Sequence, residues 1–188
     1  FANGHSIGGP VIGHGRCIAT GLTHLDPDTG QGLPAQFWTY GAHAVEIEVD
    51  TSTGEIEILK IVTAIDAGKV LNPLLCRGQV AGGVVQGIGS ALWEGFVFDA
   101  EGRLLNAGFV DYKIPTAKDL PRRAVQILLE NPQPGGPYGA RGVAEHPMIS
   151  VPSAIGNALV DALGLELCSL PLTPERVLDA IRDGSVAR

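Results

Sequence analysis

Two segments of the chain combine side chains and backbone suited to chemistry. The first is Pro137-Tyr-Gly-Ala-Arg-Gly142-Val-Ala-Glu145-His-Pro147, a turn-rich loop whose glycines let backbone amides approach a ligand closely and whose sole carboxylate is Glu145. Set between Val143, Ala144 and Pro147, that carboxylate is expected to be partly desolvated. Desolvation disfavours the anion and moves a carboxyl group toward the range of a general base near neutral pH. Arg141 is its nearest charged neighbour in sequence, so an exposed ion pair, or a carboxylate capping the next helix, accounts for the same residues without catalysis. The second segment is Gly78-Gln-Val-Ala-Gly-Gly83-Val-Val-Gln86-Gly-Ile-Gly89, where small residues strip bulk from one side of a helix and Gln86 places an amide, donor and acceptor together, among apolar neighbours. Such an amide can read the amide edge of a ligand. A glycine face packed on a neighbouring helix, with Gln86 bonded to backbone, is the alternative.

The elements that must position these segments follow from periodicity. Val45, Ile47 and Val49 alternate with Glu46, Glu48 and Asp50, and Ile56 to Ile65 follows after Thr51-Ser-Thr-Gly54, which predicts an antiparallel hairpin with Gly54 at positive φ. Asp66-Ala-Gly68 and Asn72-Pro73 end it. From Leu74 to Gly95 the spacing of Val80, Val84, Ile88 and Leu92 is helical, although Gly82, Gly83, Gly87 and Gly89 each cost about 1 kcal/mol relative to Ala inside a helix, so bare backbone must serve something there. A second hairpin is expected from Phe96-Val-Phe98 and Leu104-Leu105 across Asp99-Ala-Glu-Gly102, and a further strand from Val125 to Glu130. Helices are expected from Ser150 to Gly164, with Pro152 in the first turn and Ile155, Leu159, Val160 and Leu163 inward, and from Thr173 (N-cap) to Gly184. The sum is an α+β fold of mixed antiparallel strands and helices. Residues 1–37, rich in Gly, Pro and His, are expected to form an irregular arm lying on something else, with the structured portion at 38–188.

Composition narrows the classes further. With 188 residues, 45% of them hydrophobic, the chain can bury a substantial core. Its net charge of −7 and scattered basic residues give no footprint for nucleic acid or an anionic membrane, and no apolar stretch reaches a membrane span of roughly 20 residues. Cys17, Cys76 and Cys168 match neither a disulfide framework nor a CxxC site, which makes a reducing cytoplasm the expected location. Phe1 in place of Met points to a native start elsewhere. No GxGxxG, GxxxxGK[ST] or HExxH occurs, and the five histidines lack metal-ligand spacing.

A series of short motifs, in order, adds a family. They are Tyr40-Gly-Ala-His-Ala-Val-Glu46-Ile-Glu-Val-Asp50, Thr53-Gly-Glu55, Asp66-Ala-Gly68 with Asn72-Pro73, Gly78-Gln79 through Gln86-Gly-Ile-Gly89, Asp111-Tyr-Lys-Ile-Pro-Thr-Ala117 with Leu120-Pro121, Gly139-Ala-Arg-Gly-Val-Ala-Glu145, and Thr173-Pro-Glu-Arg176-Val-Leu. From about Thr20 to Ile181 the chain resembles the carboxyl-terminal portion of the molybdopterin-binding subunit of the xanthine dehydrogenase and aldehyde oxidase family. The resemblance implies that Glu145 is the general base, taking the proton from a hydroxide on molybdenum so that water-derived oxygen attacks an electron-poor heterocyclic or aldehyde carbon. It implies that the backbone of Ala140, Arg141, Gly142 and Val143 lines the metal site, and that Gln86, and less directly Gln79, binds the pterin. The direct molybdenum ligands then come from the cofactor and water, with no protein ligand in this chain. Two residues depart from the family pattern: Ala144 stands where Gly is usual and His146 where Pro or a small residue is common, so both alter the wall beside the substrate. The resemblance further implies Mo-molybdopterin, in the plain or cytosine dinucleotide form, a missing amino-terminal molybdenum-binding half, and [2Fe-2S] and FAD groups on partner subunits or domains, since three isolated cysteines cannot hold such a cluster. A non-catalytic structural or assembly module with the same fold is the other function open to this sequence.

Overall fold

In the computed structural model, which describes residues 8, 9 and 12–184, a three-stranded sheet carries the helices on one face. Strands β1 (Tyr40–Val49) and β2 (Ile56–Asp66) form the expected antiparallel hairpin. Its turn places Gly54 at φ 81°, and a Cβ there would collide with the Pro174 carbonyl, so glycine is required twice over. Pairing slips between Glu46 and Ile47, where Ile47 faces Ile58 and Glu46 faces Lys60, leaving Leu59 as the extra residue of a bulge. That extra residue shifts the phase of β2. Ile58 is buried before the bulge and Ile61, Thr63 and Ile65 after it, so both halves of the strand turn their apolar residues to the core that Val45 and Ile47 flank.

The third strand, β3 (Arg123–Leu129), pairs with β2 in parallel, so the sheet is mixed and its order is β1-β2-β3. A parallel neighbour requires a crossover, and the chain between β2 and β3 supplies it with helix α1 (Pro73–Leu92) and an irregular segment. Asn72 caps α1 through its side chain, which accepts from the Leu75 amide at 3.1 Å, and Pro73 occupies the first turn. Val80, Val84, Ile88 and Leu92 are buried against the sheet core as their spacing predicts. The second hairpin does not form as two strands. Phe98 and Leu104 make a single bridge across the Asp99–Gly102 turn, because Phe96, Val97, Phe98 and Leu105 are all exposed and no core face backs them.

A short helix, α2 (His146–Ile149), follows Glu145 and leads into α3 (Val151–Leu163), which ends at Gly164 with φ 69°. Val151, Ile155 and Leu159 are buried; Val160 and Leu163 are half-buried. Helix α4 (Pro174–Asp183) has Thr173 as N-cap and Gly184 as its left-handed stop. The described residues before Tyr40 carry neither helix nor strand, and the side-chain amide of Gln36 donates to the Gly135 carbonyl at 2.7 Å. No helix among the described residues is long and apolar enough to cross a membrane.

Candidate functional site

The loop from Pro137 to Glu145 lies across the end of β2, and backbone bonds fix its course. The Arg141 amide donates to the Ala67 carbonyl (2.9 Å), while the Gly139 carbonyl accepts from the amides of Lys69 (2.7 Å) and Gln133 (2.9 Å). Gly68, at φ 63°, is what permits this approach, since a Cβ there would sit 2.5 Å from the Gly139 carbonyl oxygen and 2.9 Å from the Arg141 nitrogen.

Side chains lock the same junction. Arg141 Nη1 lies 3.1 Å from Asp66 Oδ2, with the two side chains only 10% and 7% exposed, and it also donates to the Trp38 carbonyl at 3.2 Å. Its guanidinium sits over the Tyr40 ring, 5.4 Å from the centroid. Asp66 accepts from the Gly68 amide (3.0 Å) and from the Asn131 amide and side chain (3.3 and 3.1 Å). Burial alone would raise the Asp66 pKa; the bonds from Gly68 and Asn131, with the Arg141 charge, outweigh it and hold the carboxyl below its ordinary value. This cluster was not legible as a site in the sequence: Asp66 read as punctuation, and Arg141 has Glu145 as its nearer charged neighbour. The exposed Arg141–Glu145 pair considered above does not form, because Arg141 is committed inward to Asp66.

Glu145 therefore stands without a side-chain partner among the described residues. It is exposed and occupies the N-cap position of α2 with no capping bond from its carboxylate. The expectation that Val143, Ala144 and Pro147 would desolvate it is corrected. Ala144 is exposed, and Pro147 is buried the other way, against the bare backbone of α1 at Gly83. Gly142 is also exposed, Ala140 and Val143 are half-buried, and no hydrogen bond among the described residues engages the Gly142 or Val143 amides.

Helix α1 closes the other side. Gln79 Nε2 donates to the Ala144 carbonyl at 3.0 Å. Gln86 lies about two turns further along the same side, about 10 Å along the axis at roughly 1.5 Å per residue. It is exposed rather than set among apolar neighbours, because Val80, Val84 and Ile88 take the opposite, buried side. Its side-chain amide has no bond among the described residues, so the backbone-bonded alternative does not hold for it. His146 turns inward from the loop, with Nε2 buried and without a partner among the described residues, and so does His43, whose Nδ1 lies 3.0 Å from Thr63 Oγ1. Burial lowers the pKa of both rings, and the nearby His146 lowers that of His43 further.

Among the described residues, then, Glu145 is an exposed carboxylate without a side-chain partner, the Gly142 and Val143 amides are unbonded, and the Gln86 carboxamide is exposed on the side of α1 that carries Gln79. The profile of the molybdopterin cofactor-binding domain family matches residues 3–121. The chain belongs to that family, in its xanthine dehydrogenase and aldehyde oxidoreductase branch. It is 39% identical over 145 residues to the 6-hydroxypseudooxynicotine dehydrogenase complex subunit gamma of Paenarthrobacter nicotinovorans, covering 76% of this chain and 18% of that protein. It is 40% identical over 141 residues to the xanthine dehydrogenase molybdenum-binding subunit of Escherichia coli O157:H7, covering 74% and 19% respectively. The aldehyde oxidoreductase structure from Desulfovibrio gigas superposes with a TM-score of 0.80 at 38% identity over 87% of this chain and 18% of that one. The chain spans less than a fifth of the length of these relatives, and its family is one of molybdenum-dependent oxidoreductases.

Proposed function

We propose that the chain forms the carboxyl-terminal part of the catalytic pocket of a molybdenum hydroxylase, in which Glu145 is the general base for hydroxylation of a heterocyclic or aldehyde carbon. The observation that carries this reading is the state of Glu145: a carboxylate exposed and unpaired among the described residues, on a loop whose two flanks are bonded to separate elements, β2 and α1. A carboxylate kept free in a fixed backbone is what proton abstraction needs. The residues fit the cofactor. The unengaged Gly142 and Val143 amides suit an oxygen-rich group, and the Gln86 carboxamide suits the donor and acceptor edge of a pterin. Ala140 and Arg141 contribute backbone to the same wall, while the Arg141 side chain supports the loop from behind. Gln79 has committed one Nε2 hydrogen to Ala144, which leaves its Oε1 and second N–H and makes it the weaker pterin contact beside Gln86.

When bound, the molybdenum centre supplies an activated water-derived oxygen and accepts the two electrons of the oxidation. Glu145 takes up the proton lost by the nucleophile and holds it on a carboxylate oxygen. Excluding water around Glu145 falls to the portion of the enzyme outside this chain. Iron–sulfur and flavin groups on partner subunits or domains would carry the electrons onward; the naming of one relative as a complex subunit supports such an assembly. The free thiols of Cys17, Cys76 and Cys168 favour a cytoplasmic location. The test is Glu145→Gln in the complete enzyme. Turnover is expected to fall by roughly 10²–10⁴-fold, the usual range for a general base, while molybdenum content is retained. Undiminished turnover places the base elsewhere, and a wild type that carries no molybdenum favours the non-catalytic assembly module instead.

A further inference from the structure

Three residues of α1, Gln79, Gly83 and Gly87, stand one turn apart on a single stripe, and each meets the chain around Glu145 in sequence order. Gln79 Nε2 holds the Ala144 carbonyl at 3.0 Å, immediately before Glu145. At Gly83 an added Cβ would lie 3.0 Å from Pro147 Cβ and 3.5 Å from the Met148 nitrogen. At Gly87 it would lie 2.7 Å from Val151 Cβ and 2.8 Å from the Met148 carbonyl oxygen. The glycines therefore let α2 and the start of α3 sit directly on the α1 backbone, and Gln79 fastens the other flank of Glu145 to the same helix. The adjoining row of α1, Val80, Val84 and Ile88, is held in the core, so the stripe is a rigid reference surface.

We propose that Gln79 is a positioning residue for Glu145: its bond to the Ala144 carbonyl sets where the Glu145 carboxylate stands, with Gly83 and Gly87 fixing the backbone that follows. This rests on the reading of Glu145 as the base. A carboxylate displaced by about 1 Å loses rate steeply, because proton transfer depends on near-contact geometry. Gln79 thus acts on the chemical step through Glu145, and its effect vanishes where Glu145 has no base to offer.

A double-mutant cycle in the complete, molybdenum-loaded enzyme tests this, with kcat, KM and metal content measured for Gln79→Leu, Glu145→Gln and the pair. Gln79→Leu is expected to keep molybdenum content and KM and to lower kcat by roughly 10–100-fold. In the Glu145→Gln background it is expected to lower kcat no further. Gln79→Asn, which keeps the amide but is one methylene too short, should follow the Leu variant, and serves alone if that variant does not fold. Hydrogen exchange at the Glu145 and His146 amides should quicken in both. Unchanged kcat overturns the proposal, as do losses that multiply in the double mutant. Loss of molybdenum in step with turnover also overturns it, since Gln79 would then be holding cofactor. If Glu145→Gln alone keeps full turnover, the base assignment fails and the positioning role falls with it, a result distinct from a normal Glu145 effect with an inert Gln79.

Discussion

At the scale of single residues, a buried charge pair braces the loop that carries Glu145. Asp66 and Arg141 are nearly inaccessible and share bonds with Asn131, Gly68 and Trp38, so removing one partner strands the other in the core. Breaking a pair of this kind typically costs about 3–5 kcal/mol, well above the value of a surface salt bridge. Arg141→Met is therefore expected to lower stability by about that amount in urea denaturation; a change below about 1 kcal/mol would show that the pair is dispensable. The two inward histidines predict a pH dependence. His43 and His146 have pKa values lowered by burial, so between the lowered folded values and the ordinary 6.5 the unfolded chain binds more protons than the native one. Stability is then fully present above pH 6.5 and declines as pH falls through that window. A melting temperature that drops from pH 7 to pH 5.5, with a shallower drop in His146→Gln, is the expected result; a flat profile contradicts it. The catalytic candidate itself was visible in the sequence, as a lone carboxylate in a glycine-studded loop. Its true neighbours were not, because the partner of Arg141 lies at the end of a distant strand and only the fold brings them together.

At the scale of elements, helix α1 decides how the loop is presented. Periodicity alone located its buried side at Val80, Val84, Ile88 and Leu92, whereas Asn72-Pro73 read only as the end of the hairpin and proves to be the N-cap and first turn of the helix. Which glycine meets which neighbour is a tertiary matter. Gly87 lies against Val151 and Met148, whereas nothing lies within 4 Å of a Cβ built at Gly82. Gly87→Ala is thus expected to destabilise by about 1–3 kcal/mol through overpacking, while Gly82→Ala in the 188-residue chain should stabilise by about 1 kcal/mol through helix propensity. Thermal unfolding of the two variants checks this, and equal effects would contradict the packing described here. The Phe96–Leu105 segment shows the opposite limit of local signals: two short apolar runs and a good turn predicted two strands, but strands need a surface to bury against, and among the described residues this one has none. The parallel setting of β3 was likewise beyond sequence pattern, which marks a strand without marking its direction.

At the scale of the whole molecule, the chain is a fraction of the proteins it resembles, and its surface reflects that. Phe109 and Val110 are 82% and 81% exposed, and Leu74, Leu75, Phe96 and Phe98 add further apolar area. Surface of this kind associates when left uncovered. Sedimentation of the isolated 188-residue chain is expected to show concentration-dependent oligomers; a clean monomer would contradict that. If Glu145 is the base of a complete molybdenum hydroxylase, the most direct measurement isolates the chemical step from later electron transfer. Substrate and enzyme are mixed anaerobically, and the rate of enzyme reduction is followed in a single turnover for wild type and for Glu145→Gln with matched molybdenum content. Reduction is expected to slow by roughly 10²–10⁴-fold with little change in substrate affinity. Reduction at the wild-type rate in Glu145→Gln would contradict it and place the base elsewhere.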